Sequence, residues 1–83
     1  MKKKVVEFTY NDLKEYGNNR ACDGKWSLAL AMNFMDFCRT IPQPFFNRKK
    51  KQDAYVKQHI HQLFNVEEYP NMAIDIETGD FEV

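Results

Sequence analysis

Apolar and polar positions alternate with a period of two near both ends of this 83-residue chain and with a helical period between them. Residues 4–10 put Val6, Phe8 and Tyr10 on one face and Val5, Glu7 and Thr9 on the other, which predicts an opening strand. Asn11 and Asp12 are cap-type residues, so a short helical turn is expected through Tyr16, ended by Gly17, Asn18 and Asn19 and followed by a loop to about Cys22. The strongest helical signal covers 25–40, with Asp23 or Gly24 as cap and Pro42 as stop. Its apolar residues, Trp26, Leu28, Leu30, Ala31, Phe34, Met35, Phe37, Cys38 and Ile41, span an arc of roughly 200°. So wide an arc predicts a helix touched on two sides. Pro42 and Pro44 call for an extended connector, with Phe45 and Phe46 anchoring it to the core. A second long helix is expected over 50–65, with Val56, Ile60, Leu63 and Phe64 on its inner face. Period two then returns: Met72, Ile74 and Ile76 alternate with Ala73, Asp75 and Glu77, and Thr78, Gly79 and Asp80 supply a turn from which Phe81 and Val83 pair back.

These elements assemble as β-α-α-α-β-β, one α+β domain over 1–83. A single layer of antiparallel strands from the two termini is covered on one face by the two long helices. At this size a core only just outweighs chain entropy, so a partner or self-association as a homo-oligomer would add stability.

Charge changes the picture more than composition does. Residues 67–83 hold six acids and no base, whereas residues 1–57 hold all twelve Lys and Arg against the other six acids, although the formal net charge is zero. Such sorting either closes on itself, by pairing Lys2, Lys3 and Lys4 with the acidic last strands, or offers two surfaces to charged partners. The two cysteines, Cys22 and Cys38, form no Cys-x-x-Cys pair, and the Lys-rich start leads into no apolar run, so a reduced cytoplasmic protein without a membrane span is expected.

Catalytic chemistry finds little footing. Ile74, Asp75, Ile76, Glu77, Thr78 and Gly79 resemble the first motif of the DEDD-type 3′–5′ exonucleases, in which an Asp-x-Glu on a strand helps hold two Mg²⁺ ions. That chemistry needs further acids from later elements, and only four residues follow Gly79, so a solvated strand edge ending in a turn is the expectation. His59 and His61 at i and i+2 on a helix point their rings about 200° apart, which suits packing of His59 beside Tyr55 better than a zinc pair. Cys38 reads as a core thiol and Cys22 as the more exposed one. No metal and no cofactor are expected, and no enzymatic activity.

Two surfaces remain as candidates for binding a protein partner. The acidic one is Asp75, Glu77, Asp80 and Glu82, which can imitate a row of phosphates. The basic one is Arg48, Lys49, Lys50 and Lys51, with Lys57 further on. These bases fall where a helix begins, a position that disfavours cations. They carry the alternative reading, a nucleic-acid-binding accessory protein, with Phe45 and Phe46 adding stacking. Small, self-contained α+β chains of this composition are similar in general type to phage- or mobile-element-encoded inhibitors, including anti-CRISPR proteins, which act by covering a functional surface. That similarity of kind carries no residue roles with it.

Overall fold

Strands from both termini meet in one antiparallel sheet of order β1-β2-β3 in the computed structural model, which describes residues 1–83. β1 is Lys2–Lys4, β2 Ala73–Asp75 and β3 Phe81–Glu82. Lys2 lies opposite Asp75 and Lys4 opposite Ala73; on the other edge of β2, Ala73 faces Glu82 and Ile74 faces Phe81. Between β1 and β2 run α1 (Tyr10–Asp23), α2 (Leu28–Thr40) and α3 (Lys49–His59). The architecture is the expected small α+β fold, with its chain order β-α-α-α-β-β, but several elements differ from their expectation.

The opening strand stops at Lys4 instead of continuing to Tyr10. Val5–Glu7 forms a 3₁₀ turn, and the Val5 amide donates to the Met72 carbonyl at 2.9 Å. Three residues per turn replace the period of two, so Val5 and Phe8 point inward and are fully buried while Val6 faces water.

α1 is the longest helix, where only a short turn was expected. Thr9 and Asp12 make a reciprocal cap: the Thr9 hydroxyl accepts from the Asp12 amide at 3.2 Å, and the Asp12 carboxylate accepts from the Thr9 amide at 3.1 Å. Leu13, Tyr16 and Arg20 then follow at i, i+3 and i+7, all turned toward the interior. Their packing outweighs the roughly 1 kcal/mol that a mid-helix glycine such as Gly17 costs. The helix ends at Gly24, whose φ of +70° closes it in the left-handed conformation.

α2 starts three residues later than its pattern suggests, because Ser27 is the cap and its Oγ accepts from the Leu30 amide at 3.3 Å. Phe34, Phe37 and Ile41 enter the core. Other members of the apolar arc do not: Leu28 is 79% exposed and Met35 53%, and Met32 beside them is exposed as well. α2 is therefore covered on one side only, which corrects the two-sided expectation.

The connector tightens into a 3₁₀ turn at Gln43–Phe45. Neither Phe45 nor Phe46 joins the core; Phe45 is half-buried and Phe46 is 48% exposed. The buried Gln52 side chain ties this loop instead, donating from Nε2 to the Phe46 carbonyl at 2.9 Å. α3 passes into a 3₁₀ turn at Ile60–Gln62, and Val56, Ile60, Leu63 and Phe64 pack inward as their spacing predicts. Phe8, Tyr16, Trp26, Phe34 and Phe64 form the aromatic centre, with Trp26 and Phe34 ring centroids 4.4 Å apart. No helix is long and apolar enough to cross a membrane.

Candidate functional site

The acidic residues divide between structure and surface. Asp75 ends β2, and its carboxylate accepts from the Met1 ammonium at 3.0 Å and from the Glu77 and Thr78 amides at 3.0 and 3.3 Å. The Met1 ammonium, with the Thr78 and Glu77 amides, holds this carboxyl below the usual carboxylate range. Asp75 is thus a turn-capping group, engaged by backbone donors at the point where the exonuclease-like motif would present a metal ligand. Glu82 lies 3.9 Å from Lys2 across the sheet, with the Glu82 side chain largely in water and that of Lys2 about a third exposed. Glu77 and Asp80 make no ion pair and are exposed on the 75–80 turn. Lys3 turns away from the C-terminal acids to Asp12. Burial raises the Asp12 carboxyl, but Lys3 and the Thr9 amide and hydroxyl outweigh it and leave the group below its ordinary value.

A residue from α1 shapes the acidic turn. Arg20 is only 3% exposed. Its Nε donates to Asp23 at 2.7 Å and its Nη2 to the Glu77 carbonyl at 2.7 Å, while Cζ lies 5.2 Å from the Tyr16 ring centroid. Asn19 adds a bond to the Ile76 carbonyl at 3.0 Å and Lys25 one to the Thr78 carbonyl at 3.2 Å. Cations thus hold the inner, carbonyl side of this turn while Glu77 and Asp80 keep their carboxylates outside. Arg20 escaped the sequence reading because Gly17 suggested a loop there; the signals were the i, i+3, i+7 row with Leu13 and Tyr16 and the i+3 spacing to Asp23.

The basic residues are brought together only in part. Arg48 caps α3 with backbone alone, and Lys49, Lys50 and Lys51 form its first turn with no acid among them. Lys57 stands about 12 Å further along the helix, at 1.5 Å per residue from Lys49. None of the five has a carboxylate oxygen within 4.0 Å. Lys51 Nζ lies 5.5 Å from the Phe45 ring centroid, and Phe46, two residues before Arg48, is exposed.

His59 stacks near Tyr55, ring centroids 4.3 Å apart, and no group of three or more His, Cys, Asp or Glu is placed to hold a metal. Cys22 and Cys38 are both free thiols; Cys22 is exposed, and burial pushes Cys38 up against the opposing influence of Lys14. A groove between α1 and α2, which the sequence reading did not foresee, is lined by Trp26, Phe34, Met35 and Cys38 among others.

Comparison with protein-family models, with curated proteins and with solved structures finds no match. Fold and surface together define the class: a small α+β protein with an unpaired basic cluster at one helix start, an acidic turn held from behind by Arg20, and an open apolar groove.

Proposed function

We propose that this chain is a small non-enzymatic binding module of the reducing cytoplasm that docks onto a protein partner through its charged surfaces. The basic start of α3 is the principal contact, and Glu77 and Asp80 form a second, oppositely charged one. One observation carries the reading: Arg48, Lys49, Lys50 and Lys51 cluster at the start of α3 with no acid in its first turn and no ion-pair partner, as Lys57 further along also has none, in a fold that does pair Lys2, Lys3, Arg20 and Arg39. Cations at a helix start each cost about 0.3 to 1 kcal/mol, and an acidic surface on another protein removes that cost while steering association. Covering a partner's functional surface, as small phage- and mobile-element-encoded inhibitors do, requires no chemistry of its own.

A second reading, binding of single-stranded nucleic acid, is favoured by the Phe45 ring under Lys51 and by the exposed Phe46 next to it in sequence, since aromatic stacking and phosphate contact occur together in such sites. One set of variants separates the two. The native chain, a Lys49→Glu/Lys50→Glu/Lys51→Glu variant and a Glu77→Lys/Asp80→Lys variant serve as baits for affinity capture from the source cell. A protein retained by the native chain and lost with either charge reversal supports protein docking; identical capture by all three overturns it. Anisotropy of labelled single-stranded DNA that falls steeply with salt and vanishes in the triple variant supports the second reading instead.

A further inference from the structure

α2 carries more apolar surface than the core uses. Phe34, Phe37 and Ile41 fill the core side. Ala31, Met35 and Cys38 instead look into a groove of about 470 Å³ between α2 and α1. Across it stand Leu13, Gly17 and Ala21 at i, i+4 and i+8 of α1, and the missing side chain of Gly17 deepens the groove where Phe34 and Trp26 approach. Leu28 and Met32 continue the apolar row on α2 into open solvent. The charged residues on the groove wall are Lys14 and Arg39, both cations. Asp36 lies 3.8 Å from Arg39, but both side chains are mostly exposed, so water screens that pair.

An open apolar trough, rimmed by the unpaired Lys14 and by Arg39 in only a long, solvent-screened pair, and continued by Leu28 and Met32, is the complement of an elongated apolar object that carries negative charge. A small molecule would leave Leu28 and Met32 uncovered; a helical segment about as long as α2 covers them. We propose that the groove between α1 and α2 takes an amphipathic segment of a partner protein, apolar on the side that enters and bearing a carboxylate that meets Lys14 and Arg39. This site is separate from the basic start of α3 and from the acidic turn, and it stands or falls independently of them.

Trp26 is the only tryptophan and lines the groove, so its fluorescence reports occupancy directly. The test titrates the native chain with two synthetic helical peptides, both with Leu at i, i+3, i+4 and i+7, one with Glu and one with Lys at the other positions. The Glu peptide should produce a saturable change in Trp26 emission and bind at least about tenfold more tightly than the Lys peptide. Met35→Lys, at an exposed position, should weaken the Glu peptide by about tenfold or more with the native circular dichroism retained, and Lys14→Glu/Arg39→Glu should reverse the preference between peptides. The proposal is overturned by no saturable change with the Glu peptide, by equal binding of both peptides, or by saturation with laurate that neither peptide displaces. Sedimentation showing a native dimer that Met35→Lys converts to monomer would overturn it in favour of a second copy of this chain.

Discussion

The guanidinium of Arg20 fills the space that a side chain at residue 79 would need: a Cβ built on Gly79 would stand 2.5 Å from Nη1. Gly79 also has a φ of +81°, so glycine is the residue that lets the turn between β2 and β3 meet the last turn of α1 without backbone strain or a shift of the Arg20 guanidinium. Through this contact the C-terminal strands are fastened to the helical layer by an ionic group rather than by apolar packing alone.

Gly79→Ala should therefore destabilise the protein by about 1 to 3 kcal/mol, from left-handed backbone strain together with displacement of Arg20. Arg20→Ala should cost a similar ~1 to 3 kcal/mol, because the Glu77 carbonyl loses its buried donor. Arg20→Lys should not restore stability, since a single ammonium cannot serve Asp23 and Glu77 from two sides of a fork. Urea unfolding of the three variants checks this.

Acid should unfold the protein through its paired carboxylates. Asp12, Asp23 and Asp75 all sit below their ordinary values in the fold. Each contributes stability that is fully present above the unfolded carboxylate value near 4 and is lost as pH falls through the lowered folded value. Stability should thus decline from about pH 5 downward. Asp12→Asn should be clearly less stable than the native chain at pH 7, and the difference should narrow as pH falls through the lowered Asp12 value, below which both carry a neutral group; chemical denaturation across a descending pH series measures it.

Gly17→Ala should stabilise the protein by about 0.5 to 1 kcal/mol, because the helix-propensity penalty of glycine disappears and the new Cβ meets Phe34 and Trp26 no closer than 3.4 Å. The same methyl narrows the groove between α1 and α2. A higher thermal midpoint is the expected reading, and a lower one would mean that Phe34 cannot yield even a few tenths of an ångström.

The middle strand β2 and the inner face of α3 were legible because their spacing is unambiguous: Ile74 between Met72 and Ile76, and Val56, Ile60, Leu63 and Phe64. The start of the chain misled for a local reason. Val5, Val6, Phe8 and Tyr10 satisfy a period of two, yet burying both Val5 and Phe8 needs a period of three, and the 3₁₀ turn supplies it. Gly17, Asn18 and Asn19 signal a helix end in isolation, but Leu13, Tyr16 and Arg20 gain enough from packing to carry α1 through them. For the surface, charge sorting and its closure between Lys2, Lys3, Lys4 and the acidic strands were visible in the sequence as one of two outcomes, whereas the extent was not: Lys2 meets Glu82, but Lys3 turns to Asp12 and Lys4 pairs with no acid. That Asp75 turns inward to backbone donors while Glu77 stays outside depends on a turn geometry that composition does not encode. The wide apolar arc of α2 suggested cover on two sides, but the fold covers one and leaves Leu28 and Met35 open.

The claim that the bases at the start of α3 serve a partner rather than the fold is tested most directly by the stability of Lys49→Gln/Lys50→Glu. Equilibrium urea unfolding should give this variant a free energy of unfolding higher than the native chain's by about 1 kcal/mol, because charge at the helix start changes from unfavourable to favourable and no ion pair is broken. A variant less stable than the native chain would show that these lysines hold the structure together, and the case for a charged docking surface at the start of α3 would be contradicted.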